Sequence, residues 1–269
     1  AAAAPASALA LLPDDVDVVA HINLKAAGKA KSFAPLRARV ERQLAGELKR
    51  AKDAGVDPLR DIDQAWMARW PGKGWIMVAD GRFPTDRWSK NPSLTRASHA
   101  GVDYWTDGDL QIIKLGKRLV VAQGGQATAL IELANAGAGA GSLASSKKKA
   151  AQGLRASIAA LGSGRHAWAV MTSSAMKSVP GPVAQGMLGA GMALTFKDSV
   201  SMLAIARFAS ADKATALATM AQGMITGSLD TLRAAGIADP ANAIRVEAVN
   251  AQVNTSVVLT IDELSALLS

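Results

Sequence analysis

VDYWTDGDLQIIKL, residues 102–115, is the stretch from which the fold of this chain is most readily predicted. Two runs rich in β-branched and aromatic side chains, residues 102–106 and 110–115, flank the pair Asp107-Gly108. Both residues of that pair tolerate a positive φ, which a tight turn between antiparallel strands requires. The stretch therefore predicts a β-hairpin and, with it, an antiparallel sheet.

Further strands are predicted on both sides of this hairpin from their alternation, and helices are predicted between them from apolar side chains spaced by three or four residues. The predicted strands cover residues 16–24, 64–69, 75–83, 119–123, 166–172, 193–196, 200–208, 243–249 and 253–261. The predicted helices cover residues 33–54, 127–136, 147–161, 211–235 and 262–268, with a short helical stretch near Val183. These elements predict an α+β fold in which largely antiparallel sheets pack with helices.

The predicted elements follow the same order twice along the chain. A strand ending in Arg-Phe, then a Thr or Ser, then Asp and a basic residue occurs in MVADGRFPTDRW (residues 77–88) and in AIARFASADKA (residues 204–214). We therefore expect an internal duplication, although a match this short also arises by chance. The expected organisation is a flexible N-terminal tether over residues 1–15, a first α+β half over 16–136, a Gly/Ala-rich seam with a linker helix over 137–162, and a second α+β half over 163–269.

Composition excludes several classes of function. The chain has no cysteine, so it can form no disulfide, cysteine zinc site or thiol nucleophile. Its three histidines, His21, His99 and His166, have no metal-ligating neighbours at useful spacing. No run approaches the roughly 20 apolar residues of a membrane-spanning helix. We expect no catalytic residues, no metal site and no cofactor, and hence a protein that is not an enzyme.

The beginning of the chain, AAAAPASALALLPDD, is typical of a mature exported protein after removal of its signal peptide. A recombinant chain trimmed by hand would begin in the same way. We therefore expect an extracytoplasmic location, in the periplasm or at the outer membrane. Whether a lipid anchor precedes residue 1 stays open.

Four segments carry a resemblance to a known group of proteins: LLPDDVDVVAHINL (residues 11–24), AGVDPLRDIDQAWMA (54–68), GRFPTDRW (81–88) and VNTSVVLTIDELSALLS (253–269). Together they resemble uncharacterised exported proteins of the DUF3352 type, found in myxobacteria, acidobacteria and related bacteria. The resemblance implies export and a duplicated α+β fold. It brings no known activity and no functional residues.

Basic residues are concentrated in the predicted helix after the first strand. Residues 29–54 contain eight Lys and Arg side chains against three acidic ones. A surface of this kind could bind anionic lipid headgroups, an acidic polymer or a partner protein; the alternative is a solvated face with internal ion pairs. The candidate basic surface consists of Arg37, Arg39, Arg42, Lys49, Arg50 and Lys52, while an apolar stripe at four-residue spacing is predicted to be buried: Leu36, Val40, Leu44 and Leu48.

Tryptophan and methionine are distributed unevenly. Five of the six tryptophans lie within residues 66–105, and strand alternation places Trp66 and Trp70 on one face, a candidate aromatic surface for a sugar, a peptide or a protein. Seven of the nine methionines lie within residues 171–224. Both sets are more often core residues than a surface, and the methionines could instead line an apolar groove for a partner or a lipid.

These observations predict a non-enzymatic component of the cell envelope that acts in interaction or assembly. Its expected partner is a protein or an anionic envelope surface, and its oligomeric state stays open. The alternative is a periplasmic carrier of a lipid or another hydrophobic ligand. Nucleic acid is an unlikely partner, because the net charge of +8 is shared equally between residues 1–136 and 137–269.

Overall fold

The computed structural model describes residues 7–53, 55–83, 88, 90–137, 141–176 and 186–268. Within these residues the chain forms twelve strands and eleven α-helices, and the strand pairings are antiparallel. This confirms the predicted α+β class with a largely antiparallel sheet. The helical stretch predicted near Val183 lies outside the described residues.

The strands, in chain order, are β1 (Val18–Ile22), β2 (Ile62–Trp70), β3 (Gly74–Gly81), β4 (Thr95–His99), β5 (Val102–Asp107), β6 (Leu110–Leu115), β7 (Arg118–Gln123), β8 (Ala167–Thr172), β9 (Met187–Phe196), β10 (Val200–Phe208), β11 (Ile244–Val249) and β12 (Gln252–Leu259). The helices are α1 (Leu24–Ala27), α2 (Ala34–Gln43), α3 (Ala45–Asp53), α4 (Pro58–Asp61), α5 (Ala127–Asn135), α6 (Lys149–Leu161), α7 (Ser173–Met176), α8 (Ala211–Gly227), α9 (Leu229–Ala234), α10 (Pro240–Ala243) and α11 (Ile261–Leu268). Short 3-10 helices cover Ala8–Leu11 and Lys31–Phe33.

Two compact units make up the chain. Unit 1 is drawn from Ala1–Lys25 and Leu44–Arg155, and unit 2 from Ala26–Gln43 and Ala156–Ser269. The division passes between α2 and α3, so α2 belongs to unit 2 although it precedes most of unit 1 in sequence. It also passes through α6, which corresponds to the helix predicted over residues 147–161.

The sheet of unit 1 has the strand order β1-β2-β3-β7-β6-β5-β4. One of its faces buries Ala65, Ala79 and Leu119 in a core with Trp88 and Trp105. The two indoles meet edge to face, with ring centroids 5.4 Å apart. Trp88 and Trp105 are therefore core residues, in agreement with the expectation that the clustered tryptophans are more often core than surface.

The predicted hairpin of residues 102–115 is present in unit 1 as β5 and β6. Its turn lies one residue later than the sequence suggests, because Asp107 pairs with Leu110 and leaves Gly108 and Asp109 as the two turn residues. Gly108 has a φ of 56°, a conformation that glycine adopts at little cost. Asp109 then uses its carboxylate to accept a hydrogen bond from Gly124 N at 3.1 Å.

The N-terminal segment packs into unit 1, so the flexible tether expected over residues 1–15 is wrong for the described part of that segment. The 3-10 helix Ala8–Leu11 contacts α5, and both Leu11 and Leu12 are fully buried. The carbonyl oxygen of Leu12 accepts a hydrogen bond from Leu143 N at 2.7 Å. Burial of these leucines outweighs the chain entropy that an Ala/Pro/Ser-rich segment would otherwise retain.

The sheet of unit 2 has the strand order β11-β12-β10-β9-β8. Helix α8 packs on β10, β11 and β12, where Ala214 and Ala218 meet Phe208, Val246 and Val253. The small alanine side chains let the helix approach the sheet closely. Strands β10, β11 and β12 therefore contribute one part of the core of unit 2, beneath α8.

Both units share part of their strand order. In unit 1, the first strand β1 pairs with β2 of the β2–β3 hairpin, and β3 pairs with β7, the last strand of the unit. In unit 2, the first strand β8 pairs with β9 of the β9–β10 hairpin, and β10 pairs with β12, the last strand of the unit. The Arg82-Phe83 pair follows β3, and the Arg207-Phe208 pair ends β10, so the matched sequences occupy corresponding places.

None of the described helices combines the length and apolar character needed to cross a membrane. The described residues also contain no cluster of three or more His, Asp or Glu side chains that could hold a metal ion.

Candidate functional site

Helix α2 is anchored at its N-terminal end and exposed along its length. Phe33, just before the helix, is buried with its ring centroid 5.1 Å from that of Phe196. Ser32 Oγ donates a hydrogen bond to the carbonyl oxygen of Ser199 at 3.2 Å. The helix contacts α11 but buries none of its own side chains, and Val40 is 39% exposed.

The basic side chains of α2 lie in this exposed helix. Arg37 Nε donates to Glu41 Oε1 at 2.8 Å, one turn further along. Arg39 is half-buried and also has an interaction partner. Arg42 is exposed and forms no ion pair with any described residue. At least one cation of α2 is therefore available to an external anion.

Helix α3 likewise buries no side chain, and Leu44, which separates it from α2, is 45% exposed. Its three basic side chains all form exposed ion pairs: Lys49 with Asp53 at 2.7 Å, Arg50 with Glu47 at 3.4 Å, and Lys52 with Asp57 at 3.2 Å. The hydrogen bond to Asp53 raises the pKa of the Lys49 ammonium. These ion pairs are what the alternative of a solvated face predicts. Exposed ion pairs stabilise the fold only slightly, however, and can be exchanged for an external anion.

The buried stripe predicted for one helix over residues 33–54 is wrong. The structure has two helices separated at Leu44, and Val40 and Leu44 are exposed while Leu36 and Leu48 are half-buried. An α-helix turns by about 100° per residue, so positions four apart drift by about 40° at each step. Over the four positions this drift is only about 120°, but the break at Leu44 divides the stripe between two helices.

The candidate aromatic surface is also altered by the structure. Trp70 is 6% exposed, with Lys73 Nζ 3.9 Å from its ring centroid. Trp66 is half-buried against His21, with ring centroids 4.8 Å apart. The tryptophan that faces solvent is Trp75, which is 44% exposed.

Trp75, in β3, pairs with Arg69 across the β2–β3 hairpin. Sequence alternation placed Trp70 on the opposite face from Arg69, and the same rule carried across the hairpin puts Trp75 on the face of Arg69. The sequence therefore predicts that Trp75 and Arg69 share a face of the sheet. It does not show which face is covered by other elements.

A cavity of about 360 Å³ lies at this hairpin, lined by Asp17, Arg69, Trp70, Pro71, Gly72, Gly74 and Trp75. Arg69 donates from Nε and Nη2 to the two carboxylate oxygens of Asp17, at 2.8 and 2.7 Å. Asp17 N also donates to the Arg69 carbonyl oxygen at 3.1 Å. The hydrogen bonds to Asp17 raise the pKa of Arg69, against the opposing effect of burial. The ion pair is therefore fixed at both its side chains and its backbone.

Two further cavities in unit 1 have charged linings. The larger, about 610 Å³, is lined by Lys52, Gly55, Asp57, Arg60, Asp61, Arg82 and Phe83. The smaller, about 280 Å³, is lined by Gly101, Val102, Asp103, Trp105, Lys114, Leu115 and Gly116. The charged lining of the larger cavity does not suit a lipid chain, whereas the smaller cavity has both charged and apolar side chains.

The methionines of unit 2 are divided between interior and surface. Met176 is buried, whereas Met192, Met220 and Met224 are exposed. On α8 the core contacts are made by alanines together with Leu217, Ala221 and Ile225. The interpretation of Met220 and Met224 as core side chains is therefore wrong.

No protein-family model matches this chain, and no curated protein matches it. Solved structures of TP0453 have a similar fold: crystal forms III, I and IV superpose with TM-scores of 0.59, 0.57 and 0.55. In each case the sequence identity is 8%, and the match covers 97% of this chain and 96% of TP0453. At this identity the similarity shows a shared fold alone.

Proposed function

We propose that this protein is a non-enzymatic interaction component of a bacterial cell envelope that docks on an anionic lipid surface through α2 and α3. One observation carries the proposal: neither helix buries any of its side chains, and their basic residues lie beside two exposed apolar side chains, Val40 in α2 and Leu44 between the helices. In residues 34–53, six basic side chains outnumber three acidic ones. Each helix can act by itself, so the proposal does not depend on how the two units are arranged.

The charges favour docking even though several cations are paired. A basic residue near an anionic leaflet contributes about 1 kcal/mol. An exposed ion pair such as Lys49 with Asp53 is screened by water and salt and stabilises little, so an anionic surface can compete with it. Arg42 has no ion pair in the described part of the chain, so it gives up no ion pair on transfer to a headgroup.

The exposed apolar side chains favour lipid over a protein partner. Val40 and Leu44 are exposed, and two aliphatic side chains do not by themselves form the packed central cluster that a protein interface needs. A headgroup layer accepts isolated apolar side chains between cations without a complementary shape. An anionic bilayer therefore suits these helices better than a folded partner does.

The envelope location and the internal duplication are parts of the same proposal. The resemblance to exported proteins of the DUF3352 type supports the location. The shared strand order, with Arg82-Phe83 and Arg207-Phe208 at corresponding strands, supports the duplication. The alternative function, a carrier of a hydrophobic ligand, is less favoured because all three cavities described above contain charged side chains.

Charge reversal tests the docking. The double variant Arg42→Glu/Arg50→Glu removes one cation from each helix, and sedimentation measures binding to vesicles containing anionic phosphatidylglycerol. Loss of about 1 kcal/mol for each residue predicts at least about 30-fold weaker binding, and binding of the unaltered protein should fall with added salt.

The matched control is Lys90→Glu/Lys117→Glu, which makes the same change of net charge at two exposed residues outside these helices. It should bind within a few-fold of the unaltered protein. Equal losses in both double variants would show a net-charge effect and remove the role of α2 and α3. Unchanged binding of Arg42→Glu/Arg50→Glu would also contradict the proposal.

A further inference from the structure

We propose that the cavity at the β2–β3 hairpin of unit 1 is a binding site for a neutral sugar ring, which stacks on Trp75 and hydrogen-bonds to the Asp17–Arg69 pair. The site is separate from α2 and α3 and does not depend on the proposed docking. Its volume of about 360 Å³ lies in the lower part of the range for small-ligand sites, which suits one or two pyranose rings.

The platform of the site is the exposed indole of Trp75. It lines the cavity and is 44% exposed although it lies within a paired strand. An indole offers a flat, rigid apolar face at little cost in conformational entropy. The C–H face of a pyranose ring is flat and apolar as well, so stacking covers both surfaces.

The polar groups of the site are arranged for hydroxyl groups. Arg69 uses two of its five N–H donors on Asp17, which leaves donors free in a fixed orientation. The Asp17 carboxylate is largely buried and retains acceptor capacity. A sugar hydroxyl both donates and accepts, so it can bond to the carboxylate and the guanidinium of one ion pair.

The charge of the lining selects a neutral ligand. Asp17 and Arg69 cancel each other, and the Lys73 ammonium lies over the Trp70 ring. An anionic ligand would compete with Asp17 for Arg69, and a cationic ligand would compete with Arg69 for Asp17. Either exchange leaves one partner of a partly buried pair uncompensated, which is costly.

A peptide strand does not fit this place. β2 is paired on both sides, with β1 and β3, and β3 is paired on both sides, with β2 and β7. Neither strand offers a free edge to which an extended backbone could add. The recognition at this hairpin must therefore come from side chains, as sugar recognition does.

Isothermal titration calorimetry of the full chain with maltotriose, cellotriose and triacetylchitotriose tests the site. At least one of these neutral trisaccharides should bind with a Kd of about 1 mM or below, which is about −4 kcal/mol. Trp75→Ala should weaken that binding at least about 5-fold, because it removes the surface on which the ring stacks and stacking of a planar base on an aromatic side chain has at least this effect. Leu110→Ala, which removes an equally exposed apolar side chain from β6, should bind like the unaltered protein.

Three results would overturn the inference: no heat with any of the three sugars at about 10 mM, unchanged binding by Trp75→Ala, or tighter binding of the anionic trigalacturonate. Vesicle binding by Trp75→Ala should equal that of the unaltered protein. The sugar site and the docking helices can therefore fail independently.

Discussion

Replacing Asp14 with alanine removes the carboxylate that ties the N-terminal segment to the residues before α6. Asp14 is buried and accepts hydrogen bonds from Ser146 Oγ at 2.8 Å and from Lys148 Nζ at 2.7 Å. Burial acts to raise the pKa of Asp14, but these hydrogen bonds and the charge of Lys148 outweigh it and leave the pKa below its ordinary value. The charged carboxylate therefore stabilises the folded state above about pH 4, and this contribution is lost as the pH falls through the lowered pKa.

The expected loss at neutral pH follows from the two bonds. A hydrogen bond to a charged group contributes about 1.5–3 kcal/mol, which applies to Ser146. The Lys148 side chain is 62% exposed, so its ion pair is screened and adds little. We expect Asp14→Ala to lower the free energy of unfolding by about 1.5–3 kcal/mol, the contribution of the Ser146 hydrogen bond.

Guanidinium unfolding followed by tryptophan fluorescence measures this loss, since five of the six tryptophans belong to unit 1. Asp15→Ala is the matched control, because Asp15 is the adjacent aspartate and is exposed. It should change the free energy by no more than about 0.5 kcal/mol. An equal effect of both substitutions, or a loss below about 0.5 kcal/mol for Asp14→Ala, would show that the N-terminal segment is not held by this carboxylate.

Three further substitutions test local features of the fold. His166 Nδ1 accepts a hydrogen bond from Phe196 N at 2.9 Å, and burial, followed by the charge of Lys197, lowers the pKa of His166. The neutral imidazole is thus favoured in the folded state, so stability is full above about pH 6.5 and falls as the pH drops through the lowered pKa. Guanidinium midpoints between about pH 7 and pH 5 should depend less on pH in His166→Gln, and an unchanged dependence would exclude this histidine as a cause. Gly81→Ala would place its Cβ well inside contact distance of the Asp61 carbonyl oxygen and should cost about 1–3 kcal/mol; Gly46→Ala, which meets nothing within 4 Å in α3, should instead stabilise by up to about 1 kcal/mol in the same unfolding assay.

The α+β class and the hairpins could be predicted because alternation and turn residues are local signals. Residues 102–115 show this, since the strands are correct and the turn is displaced by a single residue. The two-residue loop depends on which of Asp107, Gly108 and Asp109 adopts the positive φ. The sequence leaves that choice open, because all three tolerate such a conformation.

The N-terminal segment could not be predicted from its own residues. Leu12 meets Leu143, and Asp14 meets Ser146 and Lys148, so its partners lie more than 100 residues away in the chain. Such contacts leave no periodicity in the segment itself. Its composition therefore suggested a tether.

For a related reason, the sequence could not show which of the candidate surface residues are buried. Alternation correctly separated the faces of β2, but coverage of each face depends on other elements, so Trp70 is buried and Trp75 is exposed. On α8, Ala214 and Ala218 face the sheet, and Met220, about 200° further round the helix than Ala218, is exposed. The basic residues of α2 and α3 were predicted as a possible surface from charge alone, and that part of the docking proposal came from the sequence.

Hydrogen exchange of the whole protein, with and without phosphatidylglycerol vesicles, tests the docking most directly. If α2 and α3 dock on phosphatidylglycerol, peptides covering residues 34–53 should exchange more slowly, because the bound helices are shielded and fray less. Phosphatidylcholine vesicles should produce no change. Protection elsewhere with none in residues 34–53, or equal protection by both lipids, would contradict it.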